Sequence, residues 1–190
     1  MRDLLRPAVA SLLLLTLLTG VVYPLAVTGL AQILFPRQAN GSLIVREGRP
    51  LGSALLGQPF DDPRHFWGRP SATAAFPYNA MASGGSNLGP ANPELARSVR
   101  ARMTALQAAD PENRLPVPVD LATASGSGLD PHISPAAARY QVSRVAKARG
   151  VEEKAVGDLV EAHVRGRVFG ILGEPVVSVL ELNVALETLR

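Results

Sequence analysis

The sequence predicts an α+β protein in which one N-terminal transmembrane helix is followed by a small mixed soluble domain with about three to four helices and a small sheet. Three observations carry this expectation. No Asp, Glu, Lys or Arg occurs between Pro7 and Pro36, apolar residues recur at helical spacing in three later segments, and a Val-rich run, VVSVL, stands near the C-terminal end. The chain is therefore read as a tail and single membrane anchor over residues 1–36 and a soluble domain over 37–190.

The anchor comes first. Ala8 to Phe35 is uncharged, and as a helix it rises about 42 Å, against roughly 30 Å for a bilayer core. A secretory signal has an apolar region of only about 7–15 residues before its cleavage site, so the run is read as an uncleaved span. Pro24 removes a backbone hydrogen bond, and Gly20 and Gly29 leave flat patches where a second helix can approach. Two readings stand for these three residues: a seat for a partner helix, or a lone anchor that tolerates small residues and one kink. Arg2 and Arg6 on one side compete with Arg37, Arg46 and Arg49 on the other, so charge alone does not orient the span. The short N-terminal tail has the signal-anchor form, which puts the tail inside and the soluble domain outside.

After the anchor, Ser42 to Val45 alternates apolar residues, REGRP turns, and Leu51 to Leu56 returns, which predicts a hairpin. Residues 57–92 are dense in Gly, Pro, Asn and Ser and read as a long loop pinned by the aromatics of FWGRP and FPYN. A helix is expected in NPELARSVRARMTAL: Asn92 caps, Pro93 opens the first turn, and Leu95, Val99, Met103 and Leu106 share a face opposite Arg97 and Arg100. DPEN ends it, and RLPVPVD reads as an extended connector. The same construction returns in SPAAARYQVSRVAKARG, capped by Ser134, opened by Pro135 and stopped by Gly150. A third helix fits EEKAVGDLVEAHVRG, with His163 inside it and Arg165 near its end; VVSVL then predicts a strand, and NVALETLR a short helix capped by Asn183. SGGSNLGPANP from Ser83 and SGSGLDPHISP from Ser125 echo one another, and the shared chemistry of turns and N-caps accounts for the echo.

The chemistry-bearing stretches exclude more than they assign. Neither Gly-x-Gly-x-x-Gly nor a Walker Gly-x4-Gly-Lys-[Ser/Thr] is present, and Ser127 has glycines one residue away on each side, not the two that a hydrolase elbow requires. Ser127, Asp130 and His132 can still meet in space, while Asp130–Pro131 has the composition of an Asx turn. His65, His132 and His163 are far apart and belong to no paired-ligand motif, so no metal site is assigned. The absence of Cys excludes thiol catalysis and disulfides. The scattered arginines behind the net charge of +3 do not form the basic, aromatic-interleaved run of a nucleic-acid binder. Trp67, the only tryptophan, is read either as a partner anchor with Arg69 stacked on its ring or as a plug for the small core.

Taken in order, LLGQPFDDPRHFWGRPSATAAFPYNAMASGGSNLGPANPEL, LATASGSGLDPHISPAAARYQVSRVAKARG and LGEPVVSVLELNVAL resemble the KdpC family, the C subunits of Kdp potassium-transporting ATPases. The likeness runs over nearly the whole chain. It implies a non-catalytic accessory subunit in the bacterial inner membrane, with potassium as the ion its complex transports and no covalently bound cofactor. Implied partners are a channel-like potassium-binding subunit, a P-type ATPase subunit and a small single-span subunit, besides membrane lipid. The family is described as assembling the complex and as raising the ATP affinity of the ATPase subunit, a catalytic chaperone. On this basis Ser125, Ser127 and Gln141 are candidate nucleotide contacts, and a direct ATP-binding regulator using residues 125–141 is the alternative function. Gly20, Pro24, Gly29, Trp67, Arg69, Tyr78, Asn79, Asn87, Asp130 and His132 are the candidate partner interface. An independent hydrolase using Ser127, Asp130 and His132 is the outside reading.

Overall fold

A computed structural model describes residues 2–189, and the chain divides into two compact units, one ending at Leu51 and one running from Gly52 onward. In the first, helices α1 (Arg2–Leu17) and α2 (Tyr23–Leu34) flank a π-helical turn, Leu18–Val22. Leu4–Leu34 forms 31 continuous helical residues of mean hydropathy 2.1, long and apolar enough to cross a membrane. The π turn has a cause in the sequence. A proline ring clashes with the carbonyl four residues back, and here the turn before Pro24 widens so that the Tyr23 amide donates to the Leu18 carbonyl, five residues back. A short helix, α3 (Pro36–Ala39), leads to strands β1 (Leu43–Arg46) and β2 (Arg49–Ser53), which form the expected hairpin. Its turn is tighter than REGRP suggested: Glu47 and Gly48 both have positive φ, the geometry of a two-residue connection.

In the second unit, residues 57–92 carry no regular element beyond a single 3₁₀ turn, Ala80–Ala82. Helix α4 (Pro93–Ala109) starts as expected, with the Asn92 side chain accepting the Glu94 amide at 2.9 Å, and it buries Leu106 while Arg97 and Arg100 stay exposed. The connector after it is not extended throughout, because Val119–Ala122 closes into α5 and buries Leu121 and Ala122.

Ser134 caps the next segment as expected, accepting the Ala137 amide, and Gly150 ends it in the left-handed conformation. It is two helices, α6 (Pro135–Tyr140) and α7 (Val142–Arg149), interrupted at Gln141. Helix α8 (Glu153–Ala162) follows, with His163 as its C-cap residue and Arg165 beyond it in strand β4 (Val164–Arg165). Strand β5 (Val176–Ser178) is the centre of an antiparallel sheet ordered β3-β5-β4, where β3 is His132–Ile133 and Ile133 faces Val177. The last helix, α9 (Val179–Leu186), begins directly after β5, so Asn183 sits inside it and not at its cap. Arg190, the end of the expected helix, lies outside the described residues.

Helix α8 packs against α6, α7 and α9, and α6 and α9 pack on β5. Ile133, Val145, Val156, Val160, Val177, Leu182 and Leu186 form the centre of the resulting core, each contributing roughly 1.5–3 kcal/mol by burial. The aromatic plug is Phe66, completely buried, and not Trp67, which packs half-buried against the core edge.

Candidate partner interface

The long irregular loop is held by side chains that imitate a neighbouring strand. Buried Asn183 of α9 accepts the Phe66 amide at 2.8 Å and donates to the Phe66 carbonyl at 3.0 Å. One residue on, Gln141 accepts the Trp67 amide at 2.8 Å and donates to the Trp67 carbonyl at 3.1 Å. A segment without sheet partners must satisfy its buried backbone groups by other means, and these two amides do so. That requirement explains both departures from expectation: Asn183 belongs mid-helix, and the helix break at Gln141 aims its side chain at the loop.

Arg144 completes the clamp. Its guanidinium donates to the Pro63 and His65 carbonyls at 2.6 and 3.0 Å and to Gln141 Oε1 at 2.6 Å, and it lies 4.0 Å from the centre of the Trp67 ring. Burial lowers its pKa to about 10, with the negative charges of Asp110 and Asp62 opposing. The arginine stacked on Trp67 is therefore Arg144, not Arg69. The Trp67 indole N–H donates to the Asp62 carbonyl at 3.0 Å. Hydrogen bonds from the Arg64 side chain, then its amide, hold Asp62 far below the usual carboxylate range.

The two glycine-rich stretches that echo in sequence lie against each other in space. Gly84 donates its amide to the Ser127 carbonyl at 2.9 Å, Ser83 Oγ donates to the same oxygen, Ser125 donates its amide to the Pro70 carbonyl, and Ser71 Oγ donates to the Gly128 carbonyl at 2.7 Å. Glycine is required at one point of this seam. Gly128 has φ +68°, and a Cβ there would lie 2.5 Å from Thr73 Cγ2 and 2.8 Å from the Gly84 carbonyl oxygen.

Over the seam, Arg69 Nη1 reaches Asp130 Oδ2 at 3.1 Å, and Asp130 Oδ1 accepts the His132 amide at 3.0 Å, with His132 Nδ1 3.5 Å away. Half-burial pushes the Asp130 carboxyl up, but hydrogen bonds from the His132 side chain and amide, together with Arg69, outweigh it and hold the group below its ordinary value. Tyr78 Oη donates to the Arg69 carbonyl at 2.6 Å. Burial, reinforced by the Asp130 charge and opposed by Arg69, pushes its phenol up to about 12. Two hollows flank the cluster. One of about 340 Å³ is lined by Phe60, Trp67, Tyr78, Arg102 and Leu106, and one of about 480 Å³ by Arg69, Asp120, Asp130, His132 and Glu174.

The sequence candidates thus separate into groups. Arg69, Tyr78, Asp130 and His132 converge on one cluster, with Trp67 bordering the first hollow. Asn79 is buried as the cap of the 3₁₀ turn, accepting the Met81 amide, while Asn87 is exposed with φ 52°. Ser125 is buried, Gln141 is 1 % exposed, and Ser127 Oγ accepts the Leu129 amide at 3.1 Å. Gly20 and Gly29 lie on the exposed surface of the long helix with open space beside them. Sequence reasoning missed Arg144 and also Asp120, whose carboxylate accepts both the amide and the hydroxyl of Ser134. No local signal marked either residue, because the groups that each one bonds lie far along the chain, 81 positions away for Arg144 and Pro63 and 14 for Asp120 and Ser134.

Comparison with known proteins agrees over the full length. The family model described as "KdpC: K+-transporting ATPase, c chain" matches residues 5–188. A protein of Methylibium petroleiphilum named potassium-transporting ATPase KdpC subunit is 63 % identical over 190 residues, all of both chains. Proteins of the same name from Sorangium cellulosum and Methylococcus capsulatus are 63 % identical over 186 and 185 residues, covering 98 % and 97 % of each chain. Together with the 31-residue apolar helix, this likeness puts the chain in a membrane. The chain, from its apolar helix to its mixed α+β domain, belongs to the KdpC family, the c chains of K+-transporting ATPases.

Proposed function

We propose that this KdpC-family chain is a non-catalytic accessory subunit that holds its potassium-transporting complex together through the surface built on the loop seam. Its soluble domain lies on the outer side of a bacterial inner membrane, against the channel-like and ATPase subunits, and the long helix packs among the partners' spans. ATP affinity of the ATPase subunit rises indirectly, because the domain binds one conformation of the pump better than another and so shifts its population.

The observation that carries this reading is how the polar groups are spent. Gln141 and Ser125 are buried in bonds to the loop, and Arg69, Asp130 and His132 bond one another, leaving a stiff surface with hollows and exposed apolar side chains. Met81, 97 % exposed beside the buried Asn79, stands on that surface without core contact. Replacing it by Asp is expected to lower recovery of the assembled complex about tenfold, the cost typical of a lost interface anchor. Leu115→Asp, on the connector after α4, serves as the control. Equal recovery of both variants removes the seam from the interface. Protease access to the domain in sealed, oriented vesicles tests the assigned side of the membrane, and ATP titration of the complex with and without the chain tests the coupling.

A further inference from the structure

The segment joining β4 to β5 turns over at Phe169 and Gly170, both with positive φ, and the Val168 amide bonds the Leu172 carbonyl at 2.9 Å across the turn. Arg167 grips both carboxylate oxygens of Glu174 at the base, and Arg165 pairs with Glu181. The tip is the opposite of what a solvated hairpin displays. Within five residues, Val168, Phe169, Ile171 and Leu172 are 59 %, 89 %, 75 % and 59 % exposed, and no polar side chain interrupts them. A bulky aromatic residue at positive φ is costly, and Phe169 combines that backbone conformation with an almost fully exposed ring.

We propose that this tip dips into the headgroup–acyl boundary of the membrane that holds the chain's own anchor. Three observations favour lipid over a protein socket. The four side chains offer apolar surface and no hydrogen-bonding group, which a bilayer accepts without shape complementarity and which a protein interface supplements with a polar rim. They cluster at the turn of a hairpin, closed by the Val168–Leu172 bridge, whose flanking charges are already paired. The chain also carries its own apolar helix of membrane-spanning length, and covalent continuity keeps a membrane at high effective concentration for the rest of the chain. The inference does not depend on the seam surface being the partner interface.

The test uses the full chain, which has no native cysteine, in nanodiscs of phosphatidylcholine and phosphatidylglycerol. An environment-sensitive fluorophore is attached at Phe169→Cys or, as control, at exposed Thr104→Cys on α4. Lipid carrying a nitroxide at a shallow acyl position is expected to quench the probe at 169 about twofold more than the probe at 104. Adding Ile171→Asp and Leu172→Asp, both exposed and outside the core, is expected to abolish the difference while leaving Trp67 emission unchanged. Equal quenching at 169 and 104, or quenching retained in the doubly charged variant, overturns the proposal. Shielding of 169 that occurs only when the other subunits of the complex are added also overturns it and assigns the tip to a protein socket.

Discussion

Gln141→Ala tests how the long loop is held. The substitution strips partners from the Trp67 N–H and C=O and removes one acceptor from Arg144. Leaving a buried backbone group unpaired costs about 1–3 kcal/mol, and losing a hydrogen bond to a charged group costs a similar amount. Arg144 keeps the Pro63 and His65 carbonyls and the two Trp67 groups are only part-buried, so all three losses fall at the low end and the sum comes to about 4 kcal/mol. Against a total stability of roughly 5–15 kcal/mol this is a large fraction. Trp67, the sole tryptophan, reports the junction directly through its emission. With a urea dependence of about 2 kcal/mol per M, the unfolding midpoint of the full chain in detergent should fall by roughly 2 M. Gln141→Met fills the same volume without the hydrogen bonds and should recover less than half of the loss. A midpoint within about 0.5 M of wild type for Gln141→Ala, or full recovery by Met, refutes the clasp. Unchanged stability combined with lost nucleotide binding would instead favour Gln141 as a ligand contact.

Gly128→Ala forces a Cβ against Thr73 and the Gly84 carbonyl at positive φ and should destabilise by about 2–3 kcal/mol, opening residues 57–92 to limited proteolysis; Gly126→Ala, with open space around it, should leave the digestion pattern unchanged. Asp130 has a folded-state pKa below its unfolded one, so its stabilisation is present in full above about pH 4 and is lost as the pH falls through the lower folded value. Denaturation midpoints measured across the acid range should therefore fall less steeply with decreasing pH for Asp130→Asn than for wild type. Asn183→Leu leaves the Phe66 amide and carbonyl without partners and should lower stability by about 2–4 kcal/mol, read as a drop in Tm of roughly 5–15 °C.

Local chemistry was legible in the sequence, and chemistry that depends on distant partners was not. Asn92, Ser134 and Gly150 act on groups within a few residues, so composition and spacing placed these helix ends correctly. The apolar span was equally plain, because a run of uncharged residues needs no partner to be recognised. Gln141 and Asn183 bond residues 74 and 117 positions away, and nothing in a helical window shows that an amide is wanted there. Strands β3 and β4 are two residues each, too short for alternation to register. The candidate cluster was half visible: Arg69, Asp130 and His132 stood out by type, but the pairing of Arg69 with Asp130 and of Arg144 with Trp67 is a property of the folded loop.

The π turn before Pro24 makes the span asymmetric about its own axis. One residue inserted into an α-helix advances everything beyond it by about 100°. The stripe of side chains that α1 presents in a given direction is therefore continued in α2 by a different stripe. A straight neighbouring helix cannot follow one ridge through both halves and must exchange it for another near Leu18–Val22. Any surface that runs straight along the helix is therefore written by two different sequence periodicities, one before Leu18–Val22 and one after it.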